Sequence, residues 1–179
     1  MPAISYCNVD EPELADLVAT IRARRSSGKL LNLDRMLLHS PPFARGWNAM
    51  FSAIRNQLQV PRRINELAIC AVARVNDAPY EWIQHAPEFL AAGGTQAQLD
   101  ALDDVTAACY DERLFDERER AALRLTLDMT RQVKVRPEII ERAQRLFGER
   151  QLVELIGTIA GYNMVSRFLV VLGIDEVGE

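Results

Sequence analysis

Histidine and cysteine are scarce in this 179-residue chain, so their positions carry weight: His39 and His85, and Cys7, Cys70 and Cys109. His85 has the richer surroundings. It follows the run Tyr80-Glu81-Trp82, and Glu81 and His85 stand at i and i+4. On a helix those side chains are neighbours on one face, and Glu88 extends the stripe at i+7. A carboxylate beside an imidazole favours its protonated form. Free imidazole titrates near about 6.5, so such a pair can exchange a proton close to neutral pH. Upstream, Glu66 lies on a helix face away from Ile64 and Leu67, with the small residues Cys70 and Ala73 beside it. A small-residue face lets a second helix approach closely, either residues 79–92 or a partner subunit. Trp82, Ile83, Ala86, Phe89 and Leu90 form an apolar stripe next to the polar one. That places Glu81 and His85 at the margin of the core, where a small pocket can form.

The same residues admit a plainer account. An i, i+4 Glu–His pair on a solvated helix contributes only ~0.2–0.5 kcal/mol. Trp47 and Trp82 at helical spacing are ordinary core residues, and Cys70 in mid-helix reads as a small buried residue. Pro87 removes a backbone donor next to His85, which either kinks the helix or makes it break and restart.

Composition narrows the classes. The three cysteines are far apart, odd in number, and form neither a Cys-x-x-Cys nor a zinc-type cluster. With two histidines in all, no metal site is expected. The formal charge is −4, from 21 basic and 25 acidic residues, which offers no general attraction to nucleic acid or anionic lipid. The N-terminal MPAISYCNVDEPELADL lacks a basic start followed by an apolar run, so a secretory signal is not expected. Unpaired thiols fit a reducing, cytoplasmic setting. With 49% apolar and 26% charged residues, the chain reads as one globular domain over 1–179.

Glu66, then His85 nineteen residues on, with Tyr80-Glu81-Trp82 between them and Ala91-Ala92-Gly93 after, resembles the carboxymuconolactone decarboxylase and alkylhydroperoxidase D-like superfamily. The resemblance spans about 43–130, leaving 131–179 as a C-terminal helical extension. In that extension, Tyr162 to Phe168 is similar to the ending of a longer branch. The resemblance implies an alkylhydroperoxidase D-like helical bundle, a homo-oligomer (dimer, trimer or hexamer), a small-molecule substrate and no cofactor. The peroxidase branch carries a Cys-x-x-Cys just before its histidine. Glu66 and His85 match that branch's glutamate and histidine, but Ala78 and Glu81 occupy the two cysteine positions. A dithiol cycle needs one thiolate to attack peroxide and a second thiol to resolve the sulfenic acid. The decarboxylase branch lacks the cysteine pair too. It implies a cofactor-independent carboxy-lyase in which His85 donates the proton and Glu81 or Glu66 orients it. Arg63 or Arg74 would clamp the substrate carboxylate, with Tyr80 and Trp82 as further substrate contacts. A thiol peroxidase and a non-catalytic oligomeric binding protein are the alternatives.

Helical periodicity runs through most of the chain, so the expected fold class is all-α. Helices are expected over 11–25, 34–39, 43–58 and from 64 to 75, where Ile64, Leu67, Ala68, Ala71, Val72 and Val75 share one face. Asn76-Asp77-Ala78-Pro79 reads as a stop, an N-cap and a restart, and that helix lasts to Gly93-Gly94. Further helices are expected over 95–103, 117–131, 137–147 and about 149–172. Residues 132–136 alternate but are too short for a strand. The last helix is apolar, but Glu154, Asn163 and Arg167 interrupt it, which suits a buried helix better than a membrane span.

Overall fold

The computed structural model describes residues 2–25 and 27–174, and among them every regular element is helical. A 3-10 turn at Pro12–Leu14 leads into α1 (Ala15–Arg24), followed by α2 (Asn32–Leu37) and α3 (Pro41–Asn56). Then come α4 (Arg62–Val75), α5 (Pro79–Ala91), α6 (Gln96–Ala101), α7 (Val105–Ala108), α8 (Glu117–Arg131) and α9 (Pro137–Leu172).

The described residues divide into two compact units, one lying within residues 2–57 and 169–174 and one of residues 58–168. In the first, α3 packs against α1 and α2. Leu17, Val18 and Ile21 of α1 are buried, as are Trp47 and Phe51 of α3, whose rings lie 4.8 Å apart. Asp34 is buried and doubly held by Arg25, at 2.6 and 2.7 Å, while it also accepts from the Leu31 N–H at 2.8 Å. A buried carboxylate needs such partners to offset its lost hydration.

In the second unit α4 is central. Every residue from Ile64 to Ala73 is buried, so this helix is enclosed all round rather than on one stripe, and it packs against α5 and α8. Its neighbours supply Phe89, Leu99, Leu102, Phe115 and Leu123 to one continuous apolar cluster with Leu67, Cys70 and Ala71. The helix starts are chemically specified. Thr95 accepts from the Gln98 N–H, and Asp116 and Glu119 form a reciprocal capping box opening α8, at 2.8 and 3.0 Å. Glu119 then receives Arg63 at 2.8 Å.

One local feature differs from the sequence reading, and one choice that it left open is decided. At the start of α5 the cap position is Ala78, with no side-chain cap bond, and Asp77 sits in the left-handed region at φ 50°. And α5 runs unbroken through Pro87. Residues 132–136 form a connector, as expected. At Gly148 the backbone leaves helical geometry (φ 70°, ψ 172°), so α9 is two arms, 137–147 and 149–172. Positive φ is the reason this position suits glycine. An 18-residue window of α9 is long and apolar enough to cross a membrane, but half of it is buried inside the protein, as in a core helix.

The Gly93-Gly94 break closes α5 tightly over the core. A Cβ at Gly94 would lie 2.3 Å from the ring of Phe89, which is fully buried. Gly94→Ala is therefore expected to lower stability by ~1–3 kcal/mol, because the ring has nowhere to retreat. Chemical denaturation of the variant measures this, and an unchanged midpoint would contradict the packing described.

A buried Glu–His–Glu cluster as candidate functional site

Close packing of α4 on α5 brings Glu66 to His85. Nδ1 of His85 and Oε2 of Glu66 are 2.7 Å apart, and both residues are buried, at 4% and 6% exposure. Glu81, at 1% exposure, is the most enclosed of the three. Its Oε2 lies 2.6 Å from the Ser166 hydroxyl on the second arm of α9. The same hydroxyl is 2.9 Å from the carbonyl oxygen of Tyr162. The Tyr162 ring meets the His85 ring edge-on, with centroids 4.9 Å apart. Three helices thus converge on one polar cluster inside the fold.

This arrangement corrects the expected orientation of α5. The polar pair is not at the margin of the core but within it, while Ile83 and Leu90 are exposed at 44% and 40%. The inward face is Tyr80, Glu81, His85 and Phe89. Nδ1 of His85 is engaged by Glu66 of the neighbouring helix, so the defining contact crosses between helices rather than running along one. Tyr80 is buried, as Glu81 and His85 are.

The two arginines lie elsewhere. Arg63 pairs with Glu119 and reaches towards Gln98 at 3.5 Å. Arg74 bonds Asp103 at 3.0 Å and lies over the Trp82 ring, 3.5 Å from its centroid. Arg74 and Trp82 line a cavity of about 330 Å³ together with Ala73, Asp77, Ala78 and Asp103, and neither Glu66 nor His85 is among its walls. Each arginine is thus already engaged by a carboxylate.

Ser166 and Tyr162 were not among the expected site residues. Their sequence signals are a spacing of four on an apolar helix, which places them on one face, and a place in the stretch Tyr162 to Phe168 that resembles the ending of a longer branch. Behind them, Asn163 uses its whole side-chain amide. Its Nδ2 donates to Thr130 and to the Ile159 carbonyl, each at 3.0 Å. Its Oδ1 accepts from Asn76 at 3.1 Å and Arg167 at 2.8 Å. This network joins α4, α8 and α9 beside the cluster.

Cys70 is fully buried, and its thiol is pushed strongly upward by burial, with the carboxylates of Glu66 and Glu81 adding to the effect and Arg74 opposing it. Burial pushes Cys109 up to about 11 despite Arg124, and raises Cys7 as well. All three are free thiols. Among the described residues no group of three or more His, Cys, Asp or Glu is placed to hold a metal ion.

Residues 41–128 match the carboxymuconolactone decarboxylase family. That stretch carries Glu66, Glu81 and His85, and the match supports the carboxymuconolactone decarboxylase and alkylhydroperoxidase D-like superfamily. Solved structures share the superfamily fold at low identity. An uncharacterised peroxidase-related protein from Silicibacter sp. TM1040 superposes with a TM-score of 0.80 at 16% identity, covering 99% of this chain and 92% of that one. A cysteine-to-alanine variant of the debrominase Bmp8, in complex with 2,3,4-tribromopyrrole, gives 0.78 at 15% identity, covering 99% and 92%. A putative antioxidant defence protein AhpD from Agrobacterium tumefaciens gives 0.68 at 15% identity, covering 79% and 95%. No curated protein matches the chain by sequence.

The thiolate is the reactive form of cysteine, and burial disfavours it at all three positions. Alkylation of the folded protein near neutral pH, followed by mass spectrometry, should leave Cys70 and Cys109 unmodified on a timescale that labels them fully after denaturation. Fast native labelling of either would contradict the burial described.

Proposed function

We propose that this superfamily member is a cofactor-independent lyase acting on a small carboxylated metabolite, aromatic-derived, with His85 moving the proton and Glu66 orienting it. The observation that carries this reading is the 2.7 Å contact between Glu66 and His85 in a dry setting, with a carboxyl group, Glu81, where a dithiol peroxidase would need sulfur. A buried carboxylate on Nδ1 fixes the imidazole ring and its tautomer and supports its positive charge, the role such a partner plays in general acid–base sites. Loss of carbon dioxide from a lactone acid leaves an enolate-type charge that a proton on carbon must quench, and a histidine held by a carboxylate suits that step. Fold likeness to a debrominase and to peroxidase-related proteins does not transfer their chemistry, since one fold supports many sites.

Turnover of a carboxymuconolactone-type acid is expected to fall ~10²–10⁴-fold in His85→Ala, the range general acid–base groups contribute. Circular dichroism should show the helical content retained. Wild-type turnover in that variant would remove His85 from the mechanism. The thiol-peroxidase alternative has its own measurement: hydroperoxide consumption in a variant lacking Cys7, Cys70 and Cys109. Equal consumption before and after replacement excludes thiol chemistry, and a loss revives it.

A homo-oligomer is part of the same proposal. Val153 and Met164 lie exposed on the second arm of α9, at 69% and 36%, on an apolar face that also carries Gly157 and Ala160. Light scattering should report a mass of two or more chains, and a monomer at working concentrations would overturn that part.

A further inference from the structure

Arg25, Arg63 and Arg74 each meet a carboxylate, on Asp34, Glu119 and Asp103. The face made by α7, the C-terminal half of α8 and the connector after it breaks that pattern. A cavity of about 220 Å³ is lined there by Arg124, Arg131 and Arg136, together with Cys109, Tyr110 and Asp128. Three guanidinium groups thus share one hollow with a single carboxylate. Asp128 is buried and is taken up by Arg136, which donates to it from Nε at 3.0 Å and from Nη2 at 3.1 Å. Among the described residues no carboxylate pairs with Arg124 or Arg131. The chain as a whole carries a formal charge of −4, so this local positive excess runs against its composition.

Two of the three cations are already fixed in place. Asp128 holds Arg136, and the Arg124 guanidinium lies over the Tyr110 ring, 4.5 Å from its centroid. Stacking of this kind sets the plane of the guanidinium fork, so less freedom is lost when it binds an oxyanion. Arg124 Nε is buried with no hydrogen-bond acceptor in the protein. A buried donor without an acceptor carries a desolvation cost that a ligand oxygen would relieve. Arg131 follows at i+7 on α8, two turns on along the same face. The Cys109 thiol is acted on by Arg124, Asp128 and Arg131 together, so these charges converge on one wall.

We propose that this cavity is a binding site for a small dianion presenting oxygen atoms, either a phosphate group or a short dicarboxylate. Three guanidinium groups against one carboxylate leave an excess that two negative charges balance. Guanidinium forks meet carboxylate and phosphate alike with paired N–H bonds. Cavities for drug-sized ligands hold about 300–1,000 Å³, so this smaller one selects a compact ligand. Glu66, Glu81 and His85 are not among its walls, so the site stands apart from the lyase reading.

Calorimetric titration of the full chain with inorganic phosphate, and separately with succinate, at constant ionic strength tests the proposal. Saturable binding of one anion per chain is expected, and the arm that binds names the ligand class. Because the anion binds the folded state, the melting temperature should rise with its concentration. Affinity should fall about tenfold or more in Arg131→Gln, which removes a hydrogen bond to a charged group. Arg131 is exposed, so its replacement should leave the unliganded melting temperature unchanged. Arg62→Gln, which removes an exposed cation paired with Glu88 outside the cavity, should bind like the wild type. Neither saturable heat nor a rise in melting temperature with either anion would overturn the proposal. So would equal affinity in Arg131→Gln, or an equal loss in Arg62→Gln, which would reveal general charge attraction only. No readout uses turnover, so failure of the lyase reading leaves this test intact.

Discussion

The second unit is organised by one contact, the buried approach of Glu66 to His85. Neither group can be left alone in a dry interior, because an unpaired buried charge costs far more than a paired one. Each therefore constrains where the other's helix can lie. The α4 sequence makes the approach possible: Ala68, Cys70, Ala71 and Ala73 are all small and all buried. A bulkier set there would hold α5 away and strand both polar groups.

The rest of the cluster is added around that contact. The second arm of α9 brings a hydroxyl to Glu81 and a ring edge to His85, while Asn163, one residue after Tyr162, ties the same arm to α4 and α8. Satisfied networks of this kind rigidify a site, and a half-satisfied one would be worse than an apolar core. The catalytic candidates thus owe their placement to residues that never need to touch a substrate. This is also why low-identity relatives can share the fold while differing in chemistry: the frame of helices is general, and the groups aimed inward are particular.

Much of this was legible from the chain. Glu66 and His85 stand out by type and spacing, and the punctuation by Pro79 and Gly93-Gly94 marks helix limits that the structure reproduces. The orientation of α5 was not legible. Periodicity assigns apolar residues to the inside, and by that rule Ile83 and Leu90 should have been core. Their exposure follows from bonds that no local pattern encodes: Glu81 is met from 85 residues away and His85 from 19. Trp82 is partly buried, packed against the core cluster and covered by the guanidinium of Arg74. The same Arg74, and Arg63, looked from the sequence like candidates to grip a substrate anion. Their carboxylate partners, Asp103 and Glu119, lie on other elements, so only the folded chain shows the arginines to be engaged.

The 2.6 Å contact between Glu81 and Ser166 has an evolutionary consequence. A change of Glu81 to cysteine, which would put sulfur at that position, also strips Ser166 of its short oxygen contact. Conversely, losing the hydroxyl at 166 first leaves an enclosed carboxyl with a lost partner. Each step alone is penalised, so the two positions form an epistatic pair. A lineage moving between carboxyl and thiol chemistry on this frame must change both ends of that contact, on helices far apart in the chain, almost together.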